Sequence, residues 1–319
     1  MPVVRSSYQA PAFLRNGHAQ TIAGAFLRRG RRVGFVSERL ELEDDDFLDL
    51  LWLRQGRKRV AILSHGLEGS ADEGYMRGMA AALSAAGWDV LGWNFRGCGA
   101  EPNRLVRLYH SGATEDLGAV VSHAAKSYER IALVGFSLGG NLTLKYMGEA
   151  PPPDSVVAAV AISAPVDLAA SARMLDQRWG NRLYLRRFID SLVAKVEAKA
   201  LRFPGEIDAR GSQGMRTFQE FDDRYTSRLH GFRDAADYWK QASARQFLLQ
   251  IRRPALLLNA RNDPFLAPEC FPRAEAAENP SLYLEIPESG GHLGFLEWRG
   301  GLHPWLEKRV PEFLAQAGG

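Results

Sequence analysis

From about Val33 onward the chain alternates between short, unbroken apolar runs and longer segments whose apolar residues recur at helical spacing. Short runs rich in β-branched residues predict buried strands; the longer segments predict helices. "VGFVSERLEL" and "FLDLLWL" predict two early strands joined by the acidic turn "EDDD", an antiparallel start to a sheet. The rhythm then changes. "RVAILSHG", "WDVLGWNF" and "RIALVGF" predict strands, each followed by a helix in "EGYMRGMAAALSAAG", "TEDLGAVVSHAAKSY" and "SLGGNLTLKYMGEA". Such βα alternation specifies a mostly parallel sheet with helices on both faces. Thr114 is placed to cap its helix, with Glu115 and Asp116 in the first turn, and Pro151 to Pro153 stop the helix that follows Ser137.

"DSVVAAVAISAP" predicts another buried strand, after which Asp167 to Ala244 is rich in arginine and aromatics and reads as helices. "RRPALLLNARNDP" restores a strand, Pro268 to Glu278 a helix, "SLYLEIPESGGH" the last strand, and "HPWLEKRVPEFLAQA" a closing helix. No internal repeat, low-complexity tract or dividing linker interrupts this pattern. The expectation is one α/β domain over residues 1–319 with a helical insertion at about 167–244.

Composition narrows the class. With 319 residues, 46% hydrophobic and 24% charged, the chain buries a large core and is not disordered. A net charge of +3 is too small to imply a nucleic-acid partner, although a pI near 8.9 leaves a weak preference for anionic surfaces such as lipid. Arg28, Arg29, Arg31 and Arg32 read as a solvated loop before the first strand. Two cysteines, Cys98 and Cys270, make no disulfide framework, and no signal-peptide core or 18-residue apolar run occurs. The expectation is a cytoplasmic protein without a membrane span, and a monomer, since no heptad stripe suggests otherwise.

The candidate chemistry starts in "IALVGFSLGGN", where an apolar strand runs straight into Gly-Phe-Ser-Leu-Gly. A strand-to-helix turn this tight strains the serine backbone, so side chains at Gly135 and Gly139 would collide with neighbouring backbone. The strand aims the Ser137 hydroxyl out of the carboxyl edge of the sheet, where ligands bind in open α/β sheets. A serine hydroxyl is a poor nucleophile without a base to take its proton and an acid to orient that base. Asp263 and His292 follow in the order Ser, Asp, His, each on a loop after a later strand. His292 is the candidate base and Asp263 its orienting acid, with Asp167 as the alternative acid. His65, His110, His123, His230 and His303 read as structural or surface groups, and Cys98 lacks an elbow of its own.

An oxyanion needs two backbone donors. The Leu138 N–H, at the start of the helix after the nucleophile, is one. His65-Gly66-Leu67 resembles the HG-containing loop of lipases and esterases, which places the other at Leu67, unless Gly66 merely makes a turn. No H-E-x-x-H, C-x-x-C, G-x-G-x-x-G or Walker-type loop occurs, so neither metal nor nucleotide cofactor is expected.

Together these residues resemble a known family. "NGHAQTI", "SHGLEGS", "NFRGCGAEPNRLVRLYHSGATEDL", "VGFSLGGN", "RYTSRLHGF", "NARNDPF" and "SGGHLGF" are similar to the α/β-hydrolases of the YheT-like branch, akin to eukaryotic α/β-hydrolase-domain lipases that act on medium-chain and phospholipid acyl esters. The resemblance spans nearly the whole chain. It implies an α/β-hydrolase fold, a Ser137–Asp263–His292 triad and hydrolysis of short- to medium-chain acyl esters. The membrane-spanning N-terminus of the eukaryotic relatives is not expected here, and neither is a bilayer-resident phospholipase role. Trp179, Tyr184, Phe188, Tyr225, Phe232, Tyr238 and Trp239 of the insertion are candidate walls of an apolar acyl pocket or ordinary cap packing. The rival readings are an acyltransferase or thioesterase using the same triad, and a binding protein that keeps the fold without catalysis.

Overall fold

The computed structural model describes residues 3–28 and 32–317. It begins with a two-residue strand, β1 (Val3–Val4), and a helix, α1 (Gly17–Leu27), that the hydrophobic pattern does not announce. β1 is too short to show a period, and α1 carries two glycines and no clear apolar stripe. Asn16 caps α1, its side chain accepting the Ala19 N–H. The early strands β2 (Val36–Glu41) and β3 (Phe47–Leu53) pair antiparallel across the acidic turn, as expected.

The βα units follow in sequence: β4 (Arg59–Ser64), α2 (Gly74–Ala85), β5 (Asp89–Trp93), α3 (Thr114–Ala125), β6 (Arg130–Phe136), α4 (Leu138–Glu149) and β7 (Val156–Ile162). Thr114 does not cap α3. Ala113 holds the cap position, and Thr114 Oγ1 donates at 2.6 Å to the Glu149 carboxylate, a stronger acceptor on the neighbouring α4.

Between β7 and the next strand lie α5 (Leu168–Gln177), α6 (Arg182–Arg202), the short α7 (Phe218–Phe221), which runs through a π-helical turn at Asp222–Thr226 into α8 (Ser227–Leu229), and α9 (Ala235–Ala242). The chain then returns through β8 (Ala255–Leu258), α10 (Arg273–Glu278), β9 (Leu282–Glu285), a small hairpin of β10 (Leu296–Trp298) and β11 (Leu302–Pro304), and α11 (Leu306–Ala317). The helix expected over Pro268–Glu278 is a 3-10 turn at Pro268–Cys270 followed by α10, with Pro272 between them. His303, expected just before the last helix, sits in β11, and α11 starts after Pro304.

Nine strands form one sheet in the order β1-β9-β8-β7-β6-β4-β5-β3-β2, with the β2–β3 and β3–β5 pairs antiparallel and the others parallel. The run "IALVGF" explains why the middle is parallel and two-sided. Ile131 and Leu133 point into the apolar cluster on one face; Ala132, Val134 and Phe136 point into the cluster on the other, against α2 and α11. Strand order reverses beside β4, which has β5 on one side and β6 on the other. The carboxyl ends of β4 and β6 therefore flank a crevice where ligands settle in such sheets. Helices α5 to α9 bury an apolar cluster of their own, including Leu175, Leu192, Val196, Phe221 and Trp239. Among the described residues no helix is long and apolar enough to cross a membrane.

Candidate active site

Ser137 stands between β6 and α4 with φ 53° and ψ −118°, a backbone conformation disfavoured for a residue with a Cβ. The glycines around it make the turn possible. A Cβ on Gly135 would lie 2.1 Å from the Gly139 carbonyl oxygen, and one on Gly139 would lie 2.4 Å and 2.5 Å from the carbonyl oxygens of Ser64 and His65. The strain thus brings the start of α4 against the end of β4.

Asp263, on the loop after β8, and His292, on the loop after β9, reach the same sheet edge. His292 Nδ1 lies 2.9 Å and 3.1 Å from the two Asp263 carboxylate oxygens, and His292 Nε2 lies 3.0 Å from Ser137 Oγ. A carboxylate accepts only, so Nδ1 carries the proton and Nε2 is left to accept from the serine hydroxyl. The Asp263 carboxylate also accepts the Phe265 N–H at 2.9 Å, and the Phe265 ring lies against the imidazole with centroids 4.3 Å apart. Both contacts fix the pair in place.

The histidine loop has a second support that the sequence pattern does not reveal. Thr21 Oγ1 on α1 accepts the His292 N–H at 2.8 Å. Gln20 exchanges hydrogen bonds with the backbone of Leu296, and Arg28 donates to the carbonyls of Leu293 and Gly294. The packing is backbone to backbone: a Cβ on Gly291 would lie 2.3 Å from the Gly17 carbonyl oxygen, and one on Gly24 would lie 2.8 Å from Gly294 Cα. Arg28 is therefore buried structure rather than part of a solvated basic loop; Arg32 is exposed, and Arg29 and Arg31 lie outside the described residues. The one signal available in advance was "NGHAQTI", a family mark with no assigned task.

The oxyanion donors were expected at Leu67 and Leu138. Leu138 opens α4, and Leu67 follows Gly66, whose missing side chain leaves room for Ser137: a Cβ there would lie 3.2 Å from Ser137 Cβ. The Gly66 N–H is occupied by Tyr75 Oη at 2.9 Å, whereas neither the Leu67 nor the Leu138 N–H has an acceptor among the described residues. His65 shapes this loop. Its Nε2 accepts the Phe95 N–H at 3.2 Å, so its Nδ1 donates to the Gly66 carbonyl at 2.7 Å, and burial lowers its pKa to about 3. It is a neutral brace.

The other candidates stand elsewhere. Asp167 caps α5, accepting the Ala170 N–H at 3.0 Å. His123 pairs with Glu38 at 2.7 Å. Burial pushes the Cys98 thiol up to about 11, with its sulfur 3.0 Å from Lys195 Nζ. His110 and His230, centroids 4.5 Å apart, are held by burial at pKa values of about 3.

Two recesses meet at Ser137 and His292. One is an apolar cavity beneath the helices of the insertion, walled by residues such as Leu168, Leu175, Phe188, Leu192, Tyr238 and Trp239. Asp222 lies on its wall, hydrogen-bonded to Thr226 Oγ1 and Trp239 Nε1 and raised by burial to a pKa of about 7. The other is a more polar groove between α1 and the first half of α6, reached by Ile22, Phe26, Glu68, Tyr184, Arg187 and Ser191. Of the seven aromatics considered from the sequence, Phe188, Tyr238 and Trp239 line the cavity and Tyr184 and Phe188 the groove. Tyr225 and Phe232 pack in the helical cluster, and Trp179 is 78% exposed.

Residues 61–297 match the family model described as alpha/beta hydrolase fold. The chain is similar to "Putative esterase YheT" of Escherichia coli (strain K12), 37% identical over 94% of this chain and 90% of the relative. It is also similar to "Phospholipase ABHD3" of Homo sapiens, 27% identical over 93% of this chain and 75% of the relative. Among solved structures, the Pyrococcus furiosus esterase Pf2001 superposes with a TM-score of 0.58 at 18% identity, covering 100% of this chain and 99% of its own, a likeness of fold.

Proposed function

Because the chain belongs to the α/β hydrolase fold family, in the YheT-like branch with eukaryotic α/β-hydrolase-domain relatives, we propose that it is a serine carboxylic-ester hydrolase acting on short- to medium-chain acyl esters. The observation that carries this reading is the unbroken run Asp263 to His292 Nδ1 to His292 Nε2 to Ser137 Oγ, at 2.9 Å and 3.0 Å, opening onto an apolar cavity. The relatives' names, an esterase and a phospholipase, support the same class of substrate.

In this reaction His292 Nε2 takes the Ser137 proton as Oγ attacks the ester carbonyl. The negative charge that develops on the carbonyl oxygen is held by the Leu67 and Leu138 N–H groups. Collapse breaks the acyl–oxygen bond, the imidazolium gives its proton to the departing alcohol, and the acyl group stays on Ser137. Water, activated by the same imidazole, then releases the acid and regenerates the serine. Asp263 holds the Nδ1–H tautomer and stabilises the imidazolium.

The helices at about 167–244 act as a cap on a single domain over 1–319, and their cavity receives the acyl chain. The enzyme works as a cytoplasmic monomer, without metal or cofactor, on a small-molecule acyl ester. The test is a p-nitrophenyl ester series of increasing chain length on wild type and Ser137→Ala. Turnover that peaks at short to medium chains and vanishes in the variant is expected. Near-normal turnover by Ser137→Ala overturns the assignment.

A further inference from the structure

The turn that carries Leu67 has an unexpected third residue. The Gly69 N–H donates to the Gly66 carbonyl at 3.1 Å, closing a turn over residues 66–69, and Glu68 sits in it with φ 54°. That conformation favours glycine and is strained for a residue with a Cβ, so something must hold it. The surrounding groups do. The Glu68 backbone N–H donates to Tyr109 Oη at 2.9 Å, and the same hydroxyl donates to the Glu68 carboxylate at 2.7 Å. The carboxylate, its side chain 5% exposed, also takes the Lys195 ammonium at 2.8 Å and the Ser191 hydroxyl, both from α6.

We propose that Glu68 is a positioning residue. Its carboxylate clasps α6 to the turn that presents the Leu67 N–H, so this oxyanion donor is correctly placed only when α6 is seated over the site. The reach of the glutamate accounts for its presence where glycine is favoured: the long carboxylate meets Ser191 and Lys195 while its own backbone stays in the turn. Glu68→Gly removes the clasp and relieves the backbone together, whereas a change at Lys195 loosens the clasp and leaves that backbone as it is, so the contrast separates the two roles. The inference rests on the esterase reading above.

Glu68→Gly, Glu68→Gln and Lys195→Met are compared with wild type in ester turnover and in inhibition by an alkyl trifluoromethyl ketone, whose serine adduct places an oxyanion where the ester's would form. In Glu68→Gly, kcat falls roughly 10- to 100-fold, short of outright loss of a donor. KM stays within about threefold, and the ketone's affinity falls by the same factor as kcat/KM. Lys195→Met, which removes one of the two α6 contacts and leaves the Glu68 backbone untouched, moves in the same direction by a smaller factor, and Glu68→Gln recovers part of the loss. Values of kcat within about twofold of wild type in both Glu68→Gly and Lys195→Met overturn the proposal. So does a rise in KM at constant kcat, which would make Glu68 a mere wall of the groove.

Should Glu68→Gly fail to fold, Lys195→Met decides by the same criteria. Hydrogen exchange separates this inference from the esterase reading. If wild type is inert toward esters, that reading fails, yet faster exchange of the Glu68 and Gly69 amides in Lys195→Met still supports the clasp. Unchanged exchange there refutes it.

Discussion

Thr21 and His292 are 271 positions apart in sequence, and the Thr21 hydroxyl oxygen accepts the His292 backbone N–H at 2.8 Å while donating to the Gly17 carbonyl within α1. The imidazole's height above the sheet is thus set by a helix from the other end of the chain. Thr21→Val keeps the shape and leaves that N–H without an acceptor, at a cost of about 1–3 kcal/mol. The expected outcome is a fall in kcat on the order of tenfold with KM little changed and a melting temperature lowered by a few degrees. Steady-state kinetics with a thermal melt check it, and an unaltered kcat would show that the loop keeps its place unaided.

Asp263→Asn tests Asp263 as the proposed orienting acid. An amide nitrogen facing His292 Nδ1 favours the tautomer whose proton sits on Nε2, which then points a hydrogen at Ser137 Oγ, now 3.0 Å away, where an acceptor is needed. Loss of roughly 10⁴ in kcat is expected, as for other triads, with the fold intact. The rate of Ser137 labelling by a fluorophosphonate should drop in parallel.

Gly139 has no room for a methyl group, with the Ser64 and His65 carbonyl oxygens 2.4 Å and 2.5 Å from its would-be Cβ. Gly139→Ala is expected to yield little folded protein. Gly118, inside α3, is the control: a Cβ there meets only Tyr146 at 3.6 Å, so Gly118→Ala should raise stability by up to about 1 kcal/mol through helix propensity. Denaturant melts distinguish the two, and equal effects would mean that the elbow relaxes.

Acid should weaken the fold through its histidines. Burial lowers His65, His110 and His230 from 6.5 to about 3, so between those pH values the unfolded chain binds protons that the native state refuses, and stability falls as pH falls. Asp222 opposes this. Burial raises it from 3.8 to about 7, so its contribution is lost as pH rises across that window. Burial raises Asp116 and Asp176 as well, in the same sense as Asp222, so the histidine part is isolated by substitution. His230 Nε2 has no hydrogen-bond partner among the described residues, so His230→Phe removes a titrating group without breaking a bond there. The drop in urea midpoint from pH 7 to pH 5 should shrink in this variant, and a drop equal to that of wild type would contradict the assignment.

What the sequence made legible was whatever repeats or obeys a steric rule. β6 shows as an apolar run because both of its faces are covered, and Ser137 shows because the turn after it admits only glycine at 135 and 139. Asp263 and His292 could be placed because loops after parallel strands open at one edge. The supports were hidden for equally physical reasons. Thr21, Gln20 and Arg28 act through backbone contacts to a loop far along the chain, which leave no periodic trace. Thr114 matches the pattern of a helix cap yet spends its hydroxyl on Glu149, a tertiary partner that the local sequence does not contain. Glu68 reads as one more charged loop residue until α6 is laid across it.

The dependence of the site on α1 also sets an order in which its parts can come together. The serine elbow and the turn at residues 66–69 emerge from the ribosome with the first half of the chain, but the imidazole and the helix that supports it come from opposite ends of the sequence. A chain stopped short of residue 292 holds Ser137 without the His292 imidazole beside it. On the esterase reading proposed above, the pair that would carry hydrolysis closes only once α1 and the loop bearing His292 have met.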